Sequence, residues 1–89
     1  MTSSKILITK IIVEGTTASA INTESNIDFP TSLTGENCFV LGYCCKATNN
    51  LWYSNDPSIE VTTTSSIGIR IVSKSELFVN QPIKVYLGF

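Results

Sequence analysis

The reactive side chains of this sequence are three cysteines, Cys38, Cys44 and Cys45, and seven carboxylates at positions 14, 24, 28, 36, 56, 60 and 76. There is no histidine, which removes the commonest general base and metal ligand. A serine or cysteine nucleophile would therefore lack its usual partner, and no Ser-x-x-Lys spacing supplies a substitute. A zinc site needs four ligands, and three thiols would have to recruit a carboxylate or water. Adjacent Cys44 and Cys45 fall on opposite faces of a strand, so they are poorly placed to pair with each other. The three thiols are expected to be reduced, small apolar core residues. The carboxylates are scattered, and nothing in the sequence brings two of them across a sugar as a glycosidase requires. Asn55-Asp56 with Glu60 does not match the EF-hand loop and reads as an ordinary turn. No glycine-rich phosphate loop is present. The expectation is of a protein that is not an enzyme and holds no cofactor or metal.

One cluster suits binding. Asn49, Asn50, Trp52, Tyr53, Asn55 and Asp56 place aromatic rings among amides and a carboxylate. Such a set can stack on the apolar face of a sugar and fix its hydroxyls. The plainer account makes Trp52 a core residue with its ring N–H satisfied by backbone. Tyr53, pointing the other way, would then be the surface ring. Tyr86 is a second outward aromatic, suited to an interface.

These residues sit on a pattern of strands. Residues 5–14 are dense in β-branched side chains, which favours a strand. Leu7, Ile11 and Val13 lie on one face, and Ile6, Ile8 and Ile12 on the other. A strand apolar on both faces is usually covered on both. Residues 15–35 read as a long polar connection with one short edge strand at Ile27–Phe29, stopped by Pro30. Over residues 37–48, strict alternation would put Phe39, Leu41, Tyr43 and Cys45 on one face and Cys38, Val40, Gly42 and Cys44 on the other. Asn49-Asn50 turns the chain into Leu51-Trp52-Tyr53, a hairpin. Ile59–Thr64, Ile67–Val72 and Ile83–Phe89 alternate with period two, as half-buried antiparallel strands do. No window repeats at helical spacing. The sum is an all-β, jelly-roll-like antiparallel β-sandwich of six to seven short strands, one domain over residues 1–89.

Composition narrows the partners. Of 89 residues only 15% are charged, against about 25% in a typical soluble domain. Ser, Thr and Asn make up 29 residues, and the net charge is -1. That balance argues against an electrostatic nucleic-acid binder. A mean hydropathy of +0.21 is too high for a disordered chain. The longest apolar stretch, Cys38–Cys45, is too short to cross a bilayer as a helix. The first ten residues break their apolar run at Thr9 and Lys10, so no signal peptide is expected, and synthesis in a reducing cytosol is. A small domain has much surface for its volume, so a charge-poor exterior suits a subunit whose copies cover one another. Ile6, Ile8, Ile12 and Tyr86 are the candidate interface residues.

Four segments add a family likeness: Phe39-Val-Leu-Gly-Tyr43, Leu51-Trp-Tyr53, Gly68-Ile-Arg-Ile71 and Asn80-Gln-Pro-Ile-Lys-Val-Tyr86. Their order over about residues 37–89 resembles the C-terminal knob, or head, domains of bacteriophage tail and head fibres. The resemblance implies a homo-oligomeric, trimeric β-sandwich in a virion, in contact with other virion proteins and able to bind a host-surface glycan. A stand-alone lectin-like module and a small accessory or inhibitor protein are the other classes that fit the composition.

Overall fold

The computed structural model describes residues 10–29, 37–64 and 68–89. It is all-β, with two antiparallel sheets stacked as a sandwich. The strands are β1 (Lys10–Thr16), β2 (Glu24–Ile27), β3 (Phe39–Lys46), β4 (Trp52–Ser54), β5 (Ile59–Thr63), β6 (Ile69–Ser73) and β7 (Pro82–Gly88). A short 3-10 turn, Glu76–Phe78, joins β6 to β7. The larger sheet has the order β1-β7-β3-β4 and the smaller β2-β6-β5. No helix among the described residues is long and apolar enough to cross a membrane.

The two central strands supply most of the core. In β7, Ile83, Val85 and Leu87 are fully buried, while Pro82, Lys84 and Tyr86 point out. In β6, Ile69 and Ile71 face them from the other sheet, and Phe78, Ile59, Cys45 and Ala47 close the cluster. Each such side chain contributes about 1.5–3 kcal/mol by leaving water. In β1 the alternation is equally plain, with Ile11 and Val13 packed on the core and Lys10, Ile12 and Glu14 exposed.

Turn chemistry sets the connections. Asn22, Asn50, Asn55 and Asn80 all have positive φ, a conformation Asn tolerates better than most residues. Gly68 has φ +144. A Cβ there would also collide with the carbonyl oxygen of Ile27 at the end of β2, so glycine is required on two grounds. Thr17, buried just beyond β1, donates its hydroxyl to the carbonyl of Phe78 at 2.6 Å and accepts from Gln81 N at 2.9 Å. This single side chain ties the first connection to the turn before β7.

Two expectations are corrected. The edge strand between β1 and β3 runs over Glu24–Ile27, not Ile27–Phe29; it pairs with β6 through Glu24, Ser25, Asn26 and Ile27. Strict alternation in β3 also fails. The register with β7 shifts between Val40 and Gly42, so Leu41 is an extra residue in a β-bulge. Tyr43 and Cys45 therefore point inward, while Phe39 and Leu41 point outward. Val40, assigned to the other face, packs on the core. Asn55 holds the bulge: its Oδ1 accepts from Tyr43 N at 2.9 Å, and its own N–H donates to the Tyr43 carbonyl at 2.8 Å.

Candidate functional site

The outer face of the β1-β7-β3-β4 sheet gathers the unusual side chains. Its cross-strand rows are set by register. Lys10, Gly88 and Phe39 form one; Ile12, Tyr86 and Gly42 the next; Glu14, Lys84, Cys44 and Ser54 a third; Lys46 and Trp52 lie in the last. Four large apolar residues on this face stay open to solvent: Ile12 at 59%, Phe39 at 48%, Trp52 at 47% and Leu41 at 41%. An outward apolar residue taken singly is ordinary, whereas several on one sheet face form a patch that marks an interaction surface. Phe39 and Leu41 owe their position to the bulge and to Gly88, where any Cβ would meet the Phe39 ring at 2.8 Å and Leu41 Cδ1 at 3.2 Å.

A groove of about 380 Å³ opens on the same face, lined by Leu41, Gly42, Cys44, Ser54, Asn55 and Tyr86, with Lys10 beside it. The Cys44 thiol lies 3.3 Å from Ser54 Oγ and 3.6 Å from Tyr86 Oη. Hydrogen bonds from Ser54 and Tyr86 hold this thiol below the usual range, with the Lys84 charge adding to them. The other two thiols are buried, Cys45 within the apolar core; a core place was expected of Cys44 too, but the register puts it on the outer face, half-buried. Burial, with Asp56 secondary, pushes Cys45 up to about 11, and burial raises Cys38. Among the described residues no group of three or more potential ligands is gathered as a metal would need.

The hairpin cluster is only partly a surface. Trp52 and Tyr53 exchange their expected places. The turn sets β4 so that Tyr53 faces buried Cys45, and Trp52 faces Lys46 on the outside. Tyr53 accordingly packs edge-on against Phe78, with ring centroids 5.6 Å apart, and accepts from Asn49 Nδ2 at 2.8 Å. Trp52 stands half exposed with Lys84 Nζ 5.1 Å from its ring centroid, within cation–π range. The polar members serve local structure. Asn49 Oδ1 accepts from Leu51 N, and Asn50 supplies the positive-φ turn. Asn55 holds the β3 bulge. Asp56 Oδ1 accepts from Ser58 Oγ at 2.6 Å and Ser58 N at 2.9 Å; these bonds hold its carboxyl below the usual range.

Of the candidate interface residues, Ile12 and Tyr86 are neighbours in register on the outer face. Ile6 and Ile8 lie outside the described residues. Sequence reading missed Phe39 and Leu41, because alternation alone cannot show a bulge. Comparison of the chain with protein-family models, with curated proteins and with solved structures found no match.

Proposed function

We propose that this protein is a non-catalytic assembly subunit, of the fibre-knob type found in phage virions, and that it works through the outer face of its β1-β7-β3-β4 sheet. The observation that carries the reading is the exposed apolar set Ile12, Phe39, Leu41 and Trp52 on that face. Three strands of seven or eight residues and the three-residue β4, about 4.8 Å apart, cover roughly 400 Å² in plan. Side-chain relief enlarges this toward the ~800 Å² per partner of a standard interface. Phe39, Trp52 and Tyr86 supply the aromatic residues that interface cores favour. The partner is another copy of the chain, as the charge-poor composition and the fibre-knob resemblance suggest, with neighbouring virion proteins at the margins.

Light scattering at micromolar concentration tests this. A multimer that becomes monomeric in a Phe39→Ser, Leu41→Ser double variant with an unchanged circular dichroism spectrum supports the assignment; a parent protein that is monomeric throughout refutes it. A second reading, a saccharide seat, is favoured by one observation: the open Trp52 ring beside Lys84. A glycan array with Trp52→Ala as control decides it, since binding that survives the substitution removes the ring from the role.

A further inference from the structure

Among the described residues β1 closes one side of the larger sheet, and its other side has no strand beside it. It is the longest of the four described edge strands, with seven residues against three in β4, four in β2 and five in β5. It has neither a proline nor a bulge, two of the devices that blunt an edge, and its register with β7 runs without a shift from Lys10 to Thr16. Two hydrogen bonds fix which of its backbone groups face outward. One step beyond the last pair, Thr16 with Pro82, Thr17 N donates to the carbonyl of Gln81 at 2.9 Å. Opposed residues of an antiparallel pair alternate between bonded and non-bonded. Gly15, Val13 and Ile11 therefore bond to β7, while Thr16, Glu14, Ile12 and Lys10 turn their N–H and C=O groups away from it. The Ser25 hydroxyl, from the other sheet, donates to the Thr16 carbonyl at 3.1 Å, as this phase requires. The free part of the edge is thus Lys10, Ile12 and Glu14, and the side chains of all three are exposed on the outer face.

We propose that two copies of the chain join through this edge, β1 antiparallel to β1 about a two-fold axis at Ile12, so that their four-stranded sheets become one continuous sheet. This contact is separate from the face contact proposed above and does not depend on it. The free edge is complementary to itself. With Ile12 opposite the partner's Ile12, Lys10 stands opposite the partner's Glu14 and Glu14 opposite the partner's Lys10. Each opposed pair then exchanges two N–H···O=C bonds. Neither charge is engaged within one copy: among the described residues the ion pairs are Glu24–Arg70 and Glu60–Lys74, and Lys84, opposite Glu14 on β7, lies over the Trp52 ring. On the inner side Ile11 meets the partner's Val13, and both are only half-buried in one copy. Other registers lose the match. An axis at residue 10 or 14 sets like charges opposite, which destabilises a pair, and one at 11 or 13 sets Lys10 or Glu14 opposite Ile12. The contact is isologous and closes at two copies. Its axis is perpendicular to the sheet, so both outer faces look the same way and Phe39, Leu41 and Trp52 stay available to the face contact.

Amide exchange and charge reversal test the edge. The Ile12 and Glu14 amides, which point away from β7 in one copy, should exchange about tenfold or more slowly in the assembled protein than at dilutions where it is monomeric, read residue by residue by quenched exchange and NMR. Lys10→Glu turns two opposite-charge pairs into two like-charge pairs and should weaken association about fourfold or more in sedimentation equilibrium. Lys10→Glu combined with Glu14→Lys restores both pairs in reverse and should return the dissociation constant to within about twofold of the parent. Circular dichroism and a melting curve verify that both variants are folded. Protected Ile12 and Glu14 amides, with loss and rescue by the charge variants, establish the edge contact. A multimer whose Ile12 and Glu14 amides exchange as fast as in the monomer, or whose mass Lys10→Glu leaves unchanged, overturns it while sparing the face contact. An assembly with protected edge amides that survives Phe39→Ser, Leu41→Ser overturns the face contact alone, and a parent monomeric at every concentration overturns both.

Discussion

Replacing Ile12 by threonine tests the outer face most cleanly. The substitution keeps β-branching and hence the strand preference of β1, and it touches no buried core residue. Ile12 leaves 59% of its surface in water. Burying a whole side chain of this class is worth about 1.5–3 kcal/mol, so covering the remaining exposed part stabilises a contact by about 0.9–1.8 kcal/mol. Where a contact covers one Ile12, Ile12→Thr weakens association about 5- to 20-fold. Were the face to meet itself, two copies of Ile12 would be lost per contact and the factor would be squared. The folded monomer changes little, because what Ile12 gives up there is part of a cross-strand pair with Tyr86, a term of about 0.2–1 kcal/mol. Sedimentation equilibrium gives the dissociation constant, and thermal melting at concentrations where the protein is dissociated gives monomer stability. A dissociation constant within about twofold of the parent, with melting unchanged, would show that Ile12 is not covered in the assembly.

Other perturbations follow from the same geometry. Iodoacetamide should label Cys44 ahead of Cys38 and Cys45, with the rate of Cys44 reaching half its plateau below the ordinary thiol value of about 8.5. The sign follows from a thiolate stabilised by Ser54, Tyr86 and Lys84; mass spectrometry of labelled peptides across pH checks it, and labelling in the assembled state should be slower. Thr17→Val keeps the shape but strands the Gln81 N–H and the Phe78 carbonyl; a loss of about 1–3 kcal/mol is expected, read as a melting point lower by roughly 4–20 °C. Gly68→Ala must abandon a φ of +144 or displace the Ile27 carbonyl, and should cost at least about 2 kcal/mol in denaturant unfolding. Asn55→Ala removes the acceptor for Tyr43 N–H and a residue suited to positive φ; it should lower stability by about 1–2 kcal/mol, whether or not any saccharide binds.

The parts of the fold that could be read from sequence are those where a two-residue period meets a buried neighbour. β7 is the plainest case: Ile83, Val85 and Leu87 alternate with Lys84 and Tyr86, and both the strand and its inward face follow directly from the pattern. In β3 the local pattern no longer decides which face is buried. Its residues alternate only bulky and small from Phe39 to Cys44, and a single inserted residue at Leu41 reverses the faces upstream of it. The cause lies 12 residues away from Tyr43, in the Asn55 amide that occupies the bulge, and no local window contains both. Trp52 and Tyr53 failed for a related reason. Which of two adjacent aromatics turns inward depends on hairpin register, and that is fixed by the Asn49-Asn50 turn rather than by hydrophobicity.

Bulk charge concealed the site in the same way. A net charge of -1 on 89 residues reads as electrically bland, because a sum carries no record of how the charges are arranged. Strand order gathers three of the six cations on one sheet face. Lys46 and Lys84 come to lie on one surface because β3 and β7 are neighbours and both residues fall on the outward phase of their strands. Lys10 joins them through the pairing of β1 with β7. The same pairings bring Ile12, Tyr86 and the bulged Leu41 together, so the apolar patch and the lysines are products of one register. A one-residue slip of β1 against β7 would turn Ile12 inward and expose Ile11 and Val13, undoing both features at once. In a domain with little core to spare, the register that fills the interior thus also determines which side of the molecule is left to be covered.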